Sequence, residues 1–215
     1  NLYYMETDDL GRTWKAADGR PLSLPLTAKR NPALVHDYQA EGLLVYTQHL
    51  VFDADARPVL LYLTSKGWQS GPANGPRVWH TARWTGAAWE IRGSIESDNN
   101  YDCGSLYLEP DRWAILGPTQ PGPQPFNPGG EVALWTSPDL GTTWTLAKQL
   151  THDSPFNHTY VRQPLDAHPD FYAFWADGHA RRPSDSRLYF CDRQGRVFRL
   201  PVRMDGETAR PELLP

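Results

Sequence analysis

The sequence predicts an all-β protein assembled from repeated four-strand antiparallel units, and three observations carry that reading. Its 215 residues hold 9 Trp, 10 Tyr and 7 Phe beside 17 Gly and 20 Pro, a mixture of strand formers and turn formers. No stretch keeps apolar residues at i, i+3, i+4 and i+7 over more than about two turns, and Pro or Gly interrupts most candidates, which excludes long helices. An eight-residue turn also occurs twice, as Thr7-Asp8-Asp9-Leu10-Gly11-Arg12-Thr13-Trp14 and Ser137-Pro138-Asp139-Leu140-Gly141-Thr142-Thr143-Trp144.

Each copy has the pattern [ST]-x-D-x-G-x-T-W and follows a short apolar strand, at 2–5 and 132–135. The residue types have local work to do. An Asp side chain accepts backbone N–H bonds inside a turn, Gly supplies a positive φ, and Trp packs back on the sheet. Residues 1–20 then read as the outer half of a first unit.

Three complete units follow. The first has strands at 49–53, 59–64, 78–84 and 89–93, with turns at Asp55-Ala56-Arg57-Pro58 and Thr85-Gly86. The second has strands at 105–109, 113–117, 131–136 and 145–150, and the third at 160–165, 171–176, 187–191 and 197–201. Their first turns, near Asp55, Asp111 and Pro169-Asp170, recur at about 55 to 60 residues, a period that suits the blades of a β-propeller with long loops. The expected blade units are 1–30, 43–95, 104–150 and 158–203, about three and a half four-stranded antiparallel blades in a single partial domain.

The repeated turn resembles the Asp box of BNR-repeat β-propellers, in which the box is a structural turn remote from the ligand. The likeness extends to Asn157-His158-Thr159-Tyr160-Val161-Arg162-Gln163-Pro164, to the run from His168 to Gly178, and to Ser97-Asp98-Asn99-Asn100-Tyr101-Asp102. Over these stretches, and through Gly129-Gly130-Glu131 and Leu188-Tyr189-Phe190, the chain is similar to the branch of that family that includes polysaccharide lyases acting on uronate polymers such as ulvan. Because such propellers are longer, the resemblance implies a C-terminal portion of one. The opening Asn1-Leu2-Tyr3-Tyr4, neither a signal peptide nor an initiator Met, fits that expectation. A secreted or periplasmic location is expected.

In a four-stranded antiparallel blade the first and third turns share one face, while the second turn and the link to the next blade share the other. The acidic turns fall on the first face. The opposite face receives the long loops 64–77, 96–104, 117–130, 151–160 and 178–186, which carry Trp68, Asn100, Tyr101, His158 and His179. Loops on a rigid scaffold commonly carry function, and aromatics, amides and imidazoles together suit a polyhydroxylated ligand.

The resemblance implies a Tyr and a His flanking the sugar, and Tyr101, before an innermost strand, is the candidate acid. His49, read at the start of an innermost strand, and His158 are the candidate bases. Arg162 is the candidate for neutralising a uronate carboxylate through a bidentate pair. His158, Tyr160 and Arg162 alternate, so on a regular strand all three point one way. Asn100, Tyr160, His80, His179 and Trp68 complete the expected substrate-binding set. Each also has a structural alternative: a Tyr packed under its loop, a hydrogen-bonded strand His, or an Arg tied to carbonyls or to Asp166.

Other chemistries find no support. With 21 Lys+Arg against 25 Asp+Glu and a formal charge of −4, no basic block is long enough to track a nucleic acid or an anionic membrane. No apolar run approaches the roughly 20 residues of a membrane-spanning helix. The chain contains no G-x-S-x-G, H-E-x-x-H, P-loop or C-x-x-C motif. No His pair has compact ligand spacing, so neither metal nor cofactor is expected. Cys103 and Cys191 are expected as free thiols.

Three functional classes remain. The leading one is a propeller that cleaves a uronate polysaccharide by β-elimination. A sialidase-like glycoside hydrolase needs an arginine cluster, whereas the arginines here lie mainly in turns and outer strands. A non-catalytic glycan-binding or scaffold propeller uses the same loops only to hold sugars.

Overall fold

The computed structural model describes residues 1–215, with 17 strands, one 3-10 turn at Pro72–Asn74 and no α-helix. The first 36 residues form two short ladders. β1 (Leu2–Tyr3) pairs with β4 (Leu34–His36), and β2 (Trp14–Lys15) pairs with β3 (Pro21–Leu22).

Three antiparallel sheets follow in sequential strand order. Sheet I comprises β5 (Leu44–Phe52), β6 (Pro58–Ser65), β7 (Arg77–Trp84) and β8 (Trp89–Ser97). Sheet II comprises β9 (Ser105–Leu108), β10 (Trp113–Gln120), β11 (Glu131–Ser137) and β12 (Thr145–Gln149). Sheet III comprises β13 (Asn157–Arg162), β14 (Ala173–Gly178), β15 (Leu188–Cys191), β16 (Val197–Arg199) and β17 (Glu212–Leu213).

Two differences from the sequence reading concern sheet III. Its first strand begins at Asn157, because Asn157 and His158 pair with Gly178 and Asp177 of β14; His158 also exchanges both backbone hydrogen bonds with Gly130, at 2.9 and 3.0 Å. Pro164 has no N–H with which to carry a strand on to residue 165. The sheet also gains a fifth strand, β17, which pairs with β16 and covers the last edge.

The sheets pack face to face, and the alternation of side chains explains how. Along β6, Val59, Leu61 and Leu63 face sheet II, where they meet Leu106, Trp113 and Ile115 around Trp79. The intervening Leu60 and Tyr62 face the N-terminal segment, packing on Leu2 and Tyr38. A strand covered on both sides reads as a continuous apolar run, as Val59 to Leu63 does. β10 repeats this: Trp113 and Ile115 face sheet I, while Ala114 and Leu116 join the core shared with Trp175, Tyr189 and Val197 of sheet III. The far side of sheet III carries a row of stacked phenylalanines, Phe171, Phe174, Phe190 and Phe198.

The two acidic turns have the same bonding. Asp139 Oδ1 accepts the Thr143 N–H at 2.8 Å and its Oδ2 accepts the Thr143 hydroxyl, while Ser137 Oγ accepts the Gly141 N–H. Asp9, Thr13, Thr7 and Gly11 reproduce this set. Leu10 and Gly11, like Leu140 and Gly141, are consecutive left-handed residues, so each turn spends a Leu as well as a Gly at positive φ.

The Thr13 hydrogen bonds hold the Asp9 carboxyl down at about 2, from an ordinary value of 3.8. A depressed carboxylate stabilises the fold above its unfolded value and ceases to do so as pH falls through its folded one. Asp9→Ala is therefore expected to melt below the wild type at neutral pH, with the gap closing between about pH 4 and pH 2. Thermal melts across that range check this, and a gap independent of pH contradicts it.

Candidate functional site

The first strands of the three sheets lie side by side. Gly104 N–H, entering β9, donates to Gln48 Oε1 of β5 at 2.9 Å, and Leu106 N–H donates to His49 Nδ1 at 3.0 Å. On the other side Val161 N–H of β13 donates to the Cys103 carbonyl at 3.1 Å, and Ser105 Oγ bridges the Val161 carbonyl and the Gln163 N–H. A close approach underlies the seam. A Cβ on Gly104 would lie 2.4 Å from the Leu116 carbonyl oxygen, so only glycine fits there.

Two of these three strands are bulged at the seam. Register shifts between Thr47 and His49 in β5 and between Thr159 and Arg162 in β13. In β13 the irregularity centres on Tyr160, whose φ of +54° lies in the left-handed region. That conformation costs a non-glycine residue about 1 kcal/mol or more, and bulges of this kind re-aim side chains.

The bulge separates three residues that regular alternation would align. His158 is buried, Tyr160 is half exposed, and Arg162 is partly buried with its guanidinium carbon 5.7 Å from the Tyr160 ring centroid. What surrounds that guanidinium is a thiol, an imidazole and a phenol ring, from Cys103, His49 and Tyr160, rather than a carboxylate. Asp166 does not pair with it. Tyr101 lies two residues before Cys103, its half-exposed ring edge-on to Tyr46 of β5 at 5.6 Å. Arg162, His49 and Tyr160 thus lie together at the seam with Cys103, and Tyr101 meets its β5 side through Tyr46; for Tyr46, Gln48 and Cys103 the sequence carried no signal.

The two histidines read as bases are both committed elsewhere. A backbone N–H can only donate, so His49 Nδ1 is an acceptor and its proton sits on Nε2. Burial, then the Arg162 charge, lowers the His49 pKa, keeping the ring neutral. It therefore offers the seam an N–H donor and no free lone pair. His49 also lies in the middle of β5 rather than at its start.

His158 is 2% exposed, with Nδ1 accepting the Trp175 indole N–H at 3.0 Å and Nε2 bonded to Ser154 Oγ at 2.8 Å. Ser154 and Thr151 hydroxyls pass the network to Glu131, and burial lowers the His158 pKa. This is a packed histidine with both ring nitrogens in internal hydrogen bonds.

Four further candidates have their own partners or lie in solvent. His80 is stacked on Tyr62 at 5.2 Å and bonded to Thr64 through Nε2, with burial lowering its pKa to about 4. His179 sits in the β14–β15 loop against Phe156 and accepts the Arg181 N–H. Asn100 is buried: its Oδ1 accepts from Arg77, and its Nδ2 donates to the Tyr46 hydroxyl and the Gly67 carbonyl. Its side-chain amide holds the loops together. Trp68 is 72% exposed at the tip of the β6–β7 loop.

A concavity of about 460 Å³ between sheets I and II is lined by Glu96, Asp98, Asp102 and Gln120. Burial pushes the Asp102 carboxyl up to about 8 and raises that of Asp98, and no Lys or Arg lines this concavity to meet a polymer's carboxylate. Cys103 and Cys191 are both free thiols.

Residues 1–96 match a family profile described as BNR repeat-containing family member. No curated protein matches the chain. Two solved structures of a PL25 ulvan lyase, one of them bound to -[GlcA(1-4)Rha3S]-, share its fold with a TM-score of 0.62 at 20% sequence identity. The matches cover 88% of this chain and 42% of theirs, so the chain spans less than half the length of these proteins.

Proposed function

We propose that the three sheets are blades of a β-propeller, at 43–95, 104–150 and 158–203 with a partial blade at 1–30, and that the chain acts on a uronate-containing polysaccharide by β-elimination. In this reading the first strands β5, β9 and β13 face the axis. The phenylalanine row of sheet III becomes the contact face for a further blade.

The observation that carries the proposal is Arg162, a guanidinium free of carboxylates on the axial seam beside His49 and close to the Tyr101 loop. β-Elimination needs a cation to neutralise the C6 carboxylate and acidify C5–H, and a group that moves the proton. Arg162 supplies the cation as a two-pronged donor, with the His49 Nε2–H as an additional donor. Tyr101 moves the proton. Its phenol oxygen takes the C5 proton as its own O–H proton passes to O4, the C4–C5 double bond forming as the C4–O4 bond breaks. In a 4-linked glucuronate the C5–H and C4–O bonds are within reach of one side chain, so no histidine base is required.

The ligand bound to the similar lyase, a glucuronate–rhamnose sulfate repeat, agrees with this substrate class. A second reading, glycan binding without cleavage, is favoured by the commitment of His49 Nδ1 and of both His158 ring nitrogens to internal hydrogen bonds.

Incubating the protein with a panel of uronate polymers separates the two. Elimination creates an unsaturated uronate whose ultraviolet absorbance grows with time; retention of polymer without that chromophore identifies the binding role. Arg162→Lys keeps the charge but loses the fork, and is expected to weaken uronate substrates about tenfold or more while leaving binding of neutral sugars nearly unchanged. Equal weakening of both classes contradicts the assignment of Arg162 to the carboxylate.

A further inference from the structure

The loop between β6 and β7, residues 66–76, combines an exposed indole with an unusually well-anchored backbone. Trp68 leaves 72% of its surface to solvent, although burying a large aromatic side chain yields roughly 2 to 3 kcal/mol. The carbonyls on either side of it are each fixed by two donors. Gly67 O accepts from Ser65 Oγ at 2.8 Å and Asn100 Nδ2 at 3.0 Å, and Gln69 O accepts from Arg77 and Asn74 Nδ2, both at 3.0 Å.

Arg77 is the centre of this arrangement. It is 2% exposed, and its guanidinium is spent on the Gly71 carbonyl at 2.7 Å, the Gln69 carbonyl and Asn100 Oδ1 at 3.2 Å, with no carboxylate among its hydrogen-bond partners. Burying an arginine is costly unless every donor is satisfied, so its retention marks the conformation it enforces. Gly67 adds to the constraint, since a Cβ there would lie 2.4 Å from Asn74 Oδ1. The same network reaches the seam: Asn100 donates to the Tyr46 hydroxyl, and Tyr46 carries the ring of Tyr101.

We propose that Trp68 is the stacking platform of a second saccharide subsite, pre-organised by Arg77 through Asn100. It receives the apolar face of a pyranose ring from the same chain whose uronate meets Arg162. This rests on the saccharide-binding part of the proposed function and not on cleavage. Arg77 and Asn100 are positioning residues, and Trp68 is the contact. A rigid platform binds more tightly than a mobile one because ordering the loop is not charged to the ligand.

Titration calorimetry of the full chain with a hexasaccharide of the glucuronate–rhamnose 3-sulfate repeat tests this. Trp68→Ala is expected to weaken binding about tenfold or more with little change in melting temperature, and Trp68→Tyr to restore most of the loss. Arg77→Lys retains charge but cannot serve both carbonyls and Asn100. It is expected to weaken the hexasaccharide to a similar degree, and Trp68→Ala on that background to add little.

Should Arg77→Lys fail to fold, the exposed Trp68 pair decides alone. Trp68→Ala binding as tightly as the wild type, fully additive losses in a folded double variant, or no binding by the wild type overturns the subsite. A loss of affinity without any unsaturated product leaves the subsite standing while cleavage falls. Undiminished affinity with product formation does the reverse.

Discussion

Tyr101→Phe is expected to lower turnover on a uronate polymer by about a hundredfold or more, with the melting temperature little changed. The substitution removes one hydroxyl and almost no volume. The Tyr101 side chain packs edge-on against Tyr46 and is half exposed, and the hydrogen bond that fixes the residue comes from its own backbone N–H to Asn99 Oδ1. Phenylalanine keeps all of that, so a purely structural tyrosine would cost at most about 1 kcal/mol of stability and no catalysis. Steady-state kinetics beside a thermal melt separate the two, and nearly full turnover in the variant removes Tyr101 from the chemistry. A fall in kcat with KM retained is the pattern of a group acting mainly in the transition state.

Trp79→Ala is expected to cost about 3 to 5 kcal/mol, lowering the melting temperature by roughly 6 to 20 °C. The indole is 2% exposed at the centre of the core between sheets I and II, its N–H bonded to Ser97 Oγ at 3.0 Å. Gly104 and Gly117 press on its ring so closely that an added Cβ would come within 2.9 and 2.5 Å of it. Backbone that close to the ring on two sides cannot collapse into the void, so the cavity contribution is large. A loss below about 1.5 kcal/mol in denaturant melts would show that the sheets repack freely.

Much of the fold was legible because strand signals here are local. Thr-Gly and Asp-Leu-Gly turns, β-branched and aromatic runs, and period-two alternation mark most strands of sheets I and II to within a few residues, and the two acidic turns carry their hydrogen-bond partners within eight residues of sequence. Sheet III was less legible at both ends. Its first strand starts where Asn157 and His158 pair with Gly178 and Asp177, some twenty residues on, and its fifth comes from the tail at 200–215, which has no strand pattern of its own.

The candidate site was legible by residue type and not by role. Arg162 lies beside His49 and Tyr160, yet the Nδ1 of His49 is taken by the Leu106 N–H from the next sheet. The expected alignment of His158 with Tyr160 and Arg162 assumed unbroken alternation, and the bulge at Tyr160 removes it. Arg77, the residue that anchors the Trp68 loop, gave no sign of burial, since an arginine between Pro76 and Val78 reads equally well as solvent-exposed.

The amino-acid sequence by itself determined the all-β class, the succession of four-strand units and the geometry of the two acidic turns, because these depend on contacts between near neighbours. Only the tertiary structure decided which side chains reach the seam, which tautomer His49 holds, and which arginine is free and which is spent. Those outcomes depend on hydrogen bonds between residues far apart in sequence, such as Leu106 to His49 at 57 residues and Gln163 to Ser105 at 58, and no local pattern encodes a partner at that distance.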